Sequence, residues 1–248
     1  VNKGKSWTYY GDEDAYLPPF LRTSDGGALR CEFSTIEKYS SETQTWNPSV
    51  NGLFAHFIAD LVSNDDYVFA ITSNNKIARK PVYEGEKWEE INIAPSISDP
   101  MLALAHDTLY VAGYNIVYQK TENGTGPSVI LASGFGGSSV DNLSVQGDFL
   151  VIPQYNKITL INRFTGFVQD ITDLPSPFAG HNHFLRIIGN RWVYADNDGS
   201  VFVSENQGSS WVETFEQSLP GNNWYNKLFY FNDRLYFSTR NHIAISTD

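Results

Sequence analysis

The sequence predicts an all-β protein built as a six-bladed β-propeller with four antiparallel strands in each blade. Six short apolar strands recur at spacings of 38 to 43 residues, and each follows a turn rich in Asp, Asn or Gly. Repetition at this period is typical of propeller blades. Aromatic residues make up 15% of the 248 residues, which favours sheets over helices. The recurring strands are anchored at Leu29, Tyr67, Leu109, Phe149, Trp192 and Leu235.

Each anchor strand is second in its predicted blade. An apolar strand precedes it, as at 57–59 and 184–186, and a tight turn with a third apolar strand follows it. The third strands are predicted to begin near Ile36, Ile77, Ile116, Ile158, Val201 and Ile243. A Trp marks several of the fourth strands, at Trp46, Trp88, Trp211 and Trp7.

The last unit has no fourth strand of its own, because the chain ends at Asp248 shortly after its third strand. The N-terminal segment with Trp7 fits the missing position, so residues 4–10 are predicted to pair with residues 243–246. This pairing covers two sheet edges and closes the ring. With this closure, six units of about 41 residues account for the whole chain. This favours a single domain over residues 1–248 instead of a solenoid or a two-domain β-sandwich.

Charge and hydropathy argue against several kinds of partner. The chain has 28 acidic and 17 basic residues and a net charge of −11. Nucleic acids and anionic membrane surfaces are disfavoured, because both are bound by clustered Lys and Arg. No apolar run approaches the roughly 18 residues that membrane insertion needs. Cys31 is the only cysteine, so no intrachain disulfide is predicted and the compartment is left open.

One predicted turn contains a known motif. Residues 203–211 match the pattern S-x-D-x-G-x-x-W at Ser204, Gly208 and Trp211, with Asn206 in place of the Asp. This turn resembles the Asp-box, or BNR repeat, of β-propellers that include sialidases, photosystem assembly factors and secreted bacterial propellers. Residues 246–248 and 4–7 resemble the two halves of a second copy, interrupted by residues 1–3. In that superfamily the box marks the fold, on the face opposite the usual active site, so the resemblance implies a propeller and no particular activity.

A ligand-binding face is predicted where loops enter the innermost strands and where turns join second to third strands. Aromatic rings can stack on sugars, and amides or charged groups can bind hydroxyls and carboxylates. The candidate ligand-binding residues are His181, His183, Trp224, Tyr225, Arg22, Arg186, Tyr114 and Tyr155. A recurring Asn at the same turns is instead predicted to be a turn former with left-handed backbone, at Asn115, Asn156, Asn197 and Asn241.

Two of these candidates, Arg22 and Arg186, occupy equivalent positions on predicted innermost strands. The other blades are predicted to have apolar or small residues there, at Ala59, Ala103, Leu143 and Phe229. A guanidinium near the axis needs an anionic partner, which is either internal, with Asp60 as a candidate, or a ligand carboxylate. Sialidases bind sialate with three converging arginines, but their signature does not follow Arg22, and no nucleophilic Tyr–Glu pair is recognisable.

The sequence therefore favours a non-catalytic binding module for a glycan or a protein partner. A sialidase-like glycoside-processing enzyme and a structural spacer domain are the alternatives. No cofactor or metal site is predicted, because His181 and His183 lack a specified third ligand and no EF-hand spacing surrounds residues 12–14. The resemblance implies an extracytoplasmic protein, that is, secreted, periplasmic or at the cell surface. The start at Val1 fits a mature product or a part of a larger multidomain protein.

Overall fold

A computed structural model shows an all-β protein. The described residues are 7–11, 20–23, 27–32, 35–40, 42–49, 53, 58–72, 76–83, 87–92, 97, 100–136, 140, 142–175, 184–196, 200–215, 227–231, 234–238 and 242–246.

Short strands make up most of the described chain, with one 3₁₀ turn at Glu122–Gly124. The strands, in chain order, are β1 (Trp7–Gly11), β2 (Phe20–Arg22), β3 (Ala28–Glu32), β4 (Thr35–Ser40), β5 (Thr45–Pro48), β6 (Ile58–Ser63), β7 (Tyr67–Thr72), β8 (Ile77–Pro81), β9 (Glu89–Ile91), β10 (Met101–Ala105), β11 (Thr108–Gly113), β12 (Ile116–Lys120), β13 (Val129–Ser133), β14 (Ser144–Gln146), β15 (Phe149–Gln154), β16 (Lys157–Asn162), β17 (Val168–Ile171), β18 (Phe184–Ile188), β19 (Arg191–Ala195), β20 (Val201–Ser204), β21 (Val212–Phe215), β22 (Lys227–Phe231), β23 (Arg234–Ser238) and β24 (His242–Ser246).

The described strands form six four-stranded antiparallel sheets. Sheets 1 to 5 take four consecutive strands each, from β2–β5 to β18–β21, and sheet 6 has the order β22-β23-β24-β1. All six predicted anchors lie on the second strand of a sheet. Trp46 lies within the fourth strand of sheet 1, whereas Trp88 and Trp211 come immediately before the fourth strands of sheets 2 and 5.

Sheet 6 combines the two ends of the chain. Its strands β1 and β24 are antiparallel, with Trp7 opposite Ser246 and Gly11 opposite His242. The predicted pairing of the N-terminal segment with the last strand is therefore confirmed for residues 7–10. The buried hydroxyl of Ser246 accepts the backbone N–H of Leu235 at 2.8 Å, which ties β24 to the anchor strand β23.

The chain divides into two compact units. One consists of Pro18–Gly136 and Leu143–Val145 and contains sheets 1 to 3, and the other consists of Val1–Leu17, Gly137–Asn142 and Gln146–Asp248 and contains sheets 5 and 6 and most of sheet 4. A single domain over residues 1–248 stays a prediction.

In the first unit, β7 buries both of its faces. Val68 and Ala70 pack in a cluster with Leu29 of sheet 1, whereas Phe69 and Ile71 pack in a cluster with residues of sheet 3. A strand covered on both sides has no solvent face, so its sequence Tyr-Val-Phe-Ala-Ile-Thr does not alternate apolar with polar residues. Each such large side chain stabilises the fold by about 1.5–3 kcal/mol.

The second unit repeats this arrangement around β19. Tyr194 packs in a cluster with Val151 of sheet 4, and Val193 packs in a cluster with Leu228 and Leu235 of sheet 6. Tyr194 and Val193 are both 0% exposed. Successive side chains of β19 thus contribute to two different cores, because the side chains of a strand point alternately to its two faces.

The turn that resembles an Asp-box is held by its own side chains. The hydroxyl of Ser204 accepts the backbone N–H of Gly208 at 2.8 Å and donates to Oδ1 of Asn206 at 2.9 Å. The same Oδ1 accepts the backbone N–H of Ser210 at 2.9 Å. Asn206 therefore supplies the acceptor oxygen that an Asp would supply at this position.

The same turn packs closely on the core of sheet 5. Gly208 has a φ of +85°, and a Cβ added there would lie 2.9 Å from the ring of Trp192. The Trp211 ring meets Tyr194 edge-on at a centroid distance of 5.8 Å. Glycine is thus required both for its backbone conformation and for its small size.

Candidate ligand-binding site

The structure describes the side chains of three of the eight candidate ligand-binding residues: Arg186, Tyr114 and Tyr155. Arg22 is the last residue of β2, but its side chain lies outside the described part. Four further candidates lie outside the described residues: His181, His183, Trp224 and Tyr225. The predicted stacking surface on the entry loops stays a prediction.

The two tyrosines lie at the predicted kind of turn. Tyr114 joins β11 to β12 and Tyr155 joins β15 to β16, so each follows the second strand of its sheet. Tyr114 is 58% exposed and Tyr155 is 43% exposed. Both rings are accessible to a ligand, each in its own unit.

Of the neighbouring asparagines, Asn115 and Asn156 lie in turns, as predicted, but neither has the predicted left-handed backbone. The Oδ1 of Asn115 accepts the N–H of Gly136 at 2.9 Å, and its carbonyl accepts the N–H of Gly134 at 3.1 Å. These bonds connect the turn to the segment after β13. Asn197 and Asn241 lie outside the described residues.

Arg186 is the third residue of β18, the first strand of sheet 5. It lies opposite Val193, so its side chain leaves the sheet on the face that packs with Leu228 of sheet 6. Burial lowers the pKa of the guanidinium from its usual value. The guanidinium of Arg186 makes no hydrogen bond or ion pair with any other residue of the described part.

The backbone on both sides of Arg186 is held by one amide. The Nε2 of Gln146 donates to the carbonyl of Leu185 at 2.7 Å, and its Oε1 accepts the N–H of Ile187. Gln146 is 7% exposed and lies at the end of β14 in sheet 4. The Gln146 amide thus makes the donor and acceptor hydrogen bonds that a neighbouring strand would make with its backbone. These two bonds hold the backbone on both sides of Arg186 in place.

Asp60, in the other unit, also bonds to backbone groups. Its Oδ1 accepts the N–H of Leu61 at 2.9 Å, and its Oδ2 accepts the N–H of Leu102 on β10 at 3.3 Å. The prediction that Asp60 pairs with an innermost-strand arginine is untested for Arg22. The observed bonds show that Asp60 connects the first strands of sheets 2 and 3.

The prediction that Leu143 lies on an innermost strand is wrong, because β14 begins at Ser144. Ala59 lies on β6, at a register shift between Ile58 and Asp60. Gln146, at the end of β14, was not among the residues predicted from the sequence.

Asp196 lies on the other face of β19 from Arg186. It is buried, and its Oδ1 accepts the N–H of Ser200 at 2.9 Å while its own N–H donates to the carbonyl of Ser200. Burial, and secondarily the charge of Asp196, raise the pKa of the Tyr194 hydroxyl. The two bonds therefore connect the residue after β19 with the residue before β20.

The described residues contain no group of three or more His, Cys, Asp or Glu side chains placed to hold a metal ion. They also contain no helix with the length and apolar character needed to cross a bilayer.

No family model matches this chain, and no curated protein matches it. Solved structures do resemble it. BamB from Moraxella catarrhalis is 17% identical with a TM-score of 0.58, over 92% of this chain and 68% of that one. Virginiamycin B lyase from Staphylococcus aureus is 12% identical with a TM-score of 0.63, over 98% and 99%. YCF48 bound to a D1 peptide is 13% identical with a TM-score of 0.53, over 100% and 98%. At such low identity these likenesses show the fold alone, which is of the β-propeller type.

Proposed function

We propose that this protein is a non-catalytic binding module for a protein partner, and that Arg186 binds a carboxylate of a bound peptide segment. The observation that supports this most is a partly buried guanidinium that has no bonding partner among the described residues. Removing a charge from water is unfavourable unless an opposite charge compensates for it. A carboxylate would do so with two parallel hydrogen bonds.

The contrast with two other positions supports a ligand role for Arg186. Asp60 and Gln146 lie on the first strands of sheets 2 and 4, and each bonds to the backbone of the next sheet. Arg186 lies on the first strand of sheet 5, but its side chain makes no such bond in the described part. Its strand is already fixed by Gln146, so a flexible segment would not have to be ordered when a ligand binds.

A protein partner is favoured over a glycan by one comparison. YCF48, which covers nearly the same length, has been solved with a D1 peptide bound. Glycan binding stays a prediction that depends on Trp224 and Tyr225, outside the described residues. The likeness supports the choice of ligand class for the first experiment.

We further propose that the six sheets are the blades of one six-bladed propeller, closed by β1, and that residues 203–211 form a divergent Asp-box. The sharing of sheet 6 between both chain ends supports the closure. The bonds of Ser204 and Asn206 support the motif.

The test is a peptide array, with acidic side chains and free C-terminal carboxylates systematically varied, followed by calorimetry on the best binder. Arg186→Met is expected to weaken binding by about 2–4 kcal/mol, the range of an interface hot spot, without lowering the melting temperature. Met keeps the length of the side chain and removes the charge. Arg234→Met is the matched control, because Arg234 is exposed and has no bonding partner in the described part.

Two outcomes would contradict the proposal. Equal affinity of the wild type and Arg186→Met would remove Arg186 from the site. A large loss of stability in that variant would mean that the guanidinium neutralises an internal carboxylate. A glycan array and an aryl sialoside assay, run in parallel, test the other ligand class and the enzyme alternative. Turnover that depends on Arg186 would favour the enzyme. The extracytoplasmic location stays a prediction that fractionation of the native cells would test.

A further inference from the structure

The turn between β16 and β17 exposes two phenylalanines at the tip of sheet 4. Phe164 is 66% exposed and Phe167 is 67% exposed. Single exposed apolar residues are common on protein surfaces, but two aromatic rings on one short turn are not explained by folding. Neither residue is among the binding candidates that the sequence predicts.

Hydrogen bonds within residues 162–167 hold this turn in one conformation. The N–H of Gly166 donates to the carbonyl of Asn162 at 2.8 Å, and the N–H of Asn162 donates to the carbonyl of Phe167 at 2.9 Å. The side-chain Oδ1 of Asn162 accepts the N–H groups of Phe164 at 3.1 Å and Thr165 at 3.0 Å. Gly166 has a φ of +71°, which glycine adopts without strain. The two rings are therefore carried by a backbone that is already ordered, so binding costs little conformational entropy.

Arg163 adds a charge to the same tip. Its guanidinium lies over the Phe164 ring, with the central carbon 4.2 Å from the ring centroid. Its Nε donates to the carbonyl of Gly147 at 3.0 Å, and its backbone N–H donates to the carbonyl of Asp148 at 2.9 Å. The terminal nitrogens have no bonding partner among the described residues, so their N–H groups are available to a ligand.

We propose that residues 162–167 form a docking tip for a second protein, which has an apolar cleft bordered by a carboxylate. The cleft receives Phe164 and Phe167, and the carboxylate pairs with the guanidinium of Arg163. Aromatic residues and Arg are the residue types enriched at the energetic centres of protein interfaces. A single Arg on a chain of net charge −11 does not favour an anionic membrane or a nucleic acid.

This surface shares no residue with the site proposed at Arg186. The turn with Tyr155 and the turn with Phe164 are at the two ends of β16, so the tip lies at the opposite end of sheet 4 from Tyr155. The proposal therefore does not depend on the peptide-binding function, and failure of one leaves the other standing.

The test uses a phage-displayed library of random peptides selected against the purified full-chain Arg186→Met variant, so that the site proposed at Arg186 does not compete for acidic peptides. The main family of binders is expected to combine apolar residues with Asp or Glu. Its affinity is expected to fall about tenfold or more for Phe164→Ser with Phe167→Ser, and severalfold for Arg163→Gln. Tyr83→Ser is the matched control, because Tyr83 is 68% exposed in the equivalent turn of sheet 2.

Hydrogen exchange on the wild type provides a readout that needs no variant. Bound peptide is expected to protect amides of residues 162–168 and to leave the turn at Tyr155 unchanged. Protection elsewhere, or selected peptides that bind all variants equally, would overturn the proposal. So would cosedimentation with phosphatidylcholine vesicles that is lost in the double Ser variant, because the tip would then bind lipid. Binders that require the rings but ignore Arg163→Gln would overturn the pairing with a carboxylate.

Discussion

Three polar side chains on the first strands of their sheets have different roles in this protein because their neighbours differ. Gln146 and Asp60 reach the backbone of an adjacent first strand and bond to it. Arg186 emerges beside the core formed by Val193 and Leu228, where the described residues offer it no acceptor. Gln146 and Asp60 therefore stabilise the packing of neighbouring sheets. In our proposal, Arg186 instead binds a ligand.

Tyr194 is expected to make the protein less stable at high pH. Burial and Asp196 raise the pKa of its hydroxyl above the ordinary value of 10.0, so the folded state keeps the proton that the unfolded state loses. Its contribution to stability is full below pH 10.0 and is lost as the pH rises through the folded-state pKa, at about 1.4 kcal/mol per pH unit. Urea unfolding between pH 9 and 11 measures this slope.

The control is Tyr194→Phe, which removes the ionisable hydroxyl and keeps the ring. The variant is expected to show a shallower loss of stability above pH 10.0 than the wild type. Lys120 acts in the opposite direction, because burial lowers its pKa and its contribution rises with pH up to its ordinary value of 10.5. Identical slopes in the two proteins would show that Tyr194 is not responsible.

At the scale of elements, turns are specified by their own side chains. Ser204 and Asn206 bond to the backbone of one turn, and Asn162 bonds to the backbone of another. Such local bonds compete with regular strand pairing and stop the strand where they occur. The strands themselves are specified by burial, since β7 and β19 contribute to a core on each face.

Gly208→Ala is expected to destabilise the protein by about 2–4 kcal/mol, because a positive φ is unfavourable for Ala and the new Cβ would collide with the Trp192 ring. Gly189→Ala is the matched control. Gly189 has a φ of +60°, but a Cβ there meets nothing within 4 Å, so only the backbone cost of about 1 kcal/mol is expected. Chemical unfolding of both variants separates the collision from the conformation. Equal losses would show that the Trp192 ring yields without cost.

At the scale of the whole molecule, the pairing of β1 with β24 is the connection between the two ends of the chain. Without β1, the edge of β24 would expose unpaired backbone groups, which can pair with another chain. Sheet 6 would keep only three consecutive strands.

Deletion of residues 1–11 is expected to lower the free energy of unfolding by about 3–5 kcal/mol and to promote self-association. Deletion of residues 1–5, which leaves β1 intact, is expected to have little effect. Thermal unfolding and light scattering measure the two consequences. A protein without residues 1–11 that melts at the temperature of the intact chain, and stays monomeric, would contradict a structural role for β1.

Local signals in the sequence were enough to predict the repeating strands, the second-strand anchors and the pairing of the chain ends. Turn residues and apolar strands recur at a fixed period, and the missing fourth strand of the last unit left one matching segment. The sequence also identified Ser204, Gly208 and Trp211, which belong to one turn with a local bond between Gly208 and Ser204.

Only the tertiary structure decided which polar groups have partners. The bonds from Gln146 to Leu185 and from Asp60 to Leu102 join residues about 40 positions apart, and they depend on a register shift and a strand start that propensity does not encode. The isolation of Arg186 within the described residues, and the exposure of Phe164 and Phe167, are likewise properties of what surrounds a side chain. Burial and hydrogen bonding across sheets are set by the packing of distant segments, so they appear only when the chain has folded.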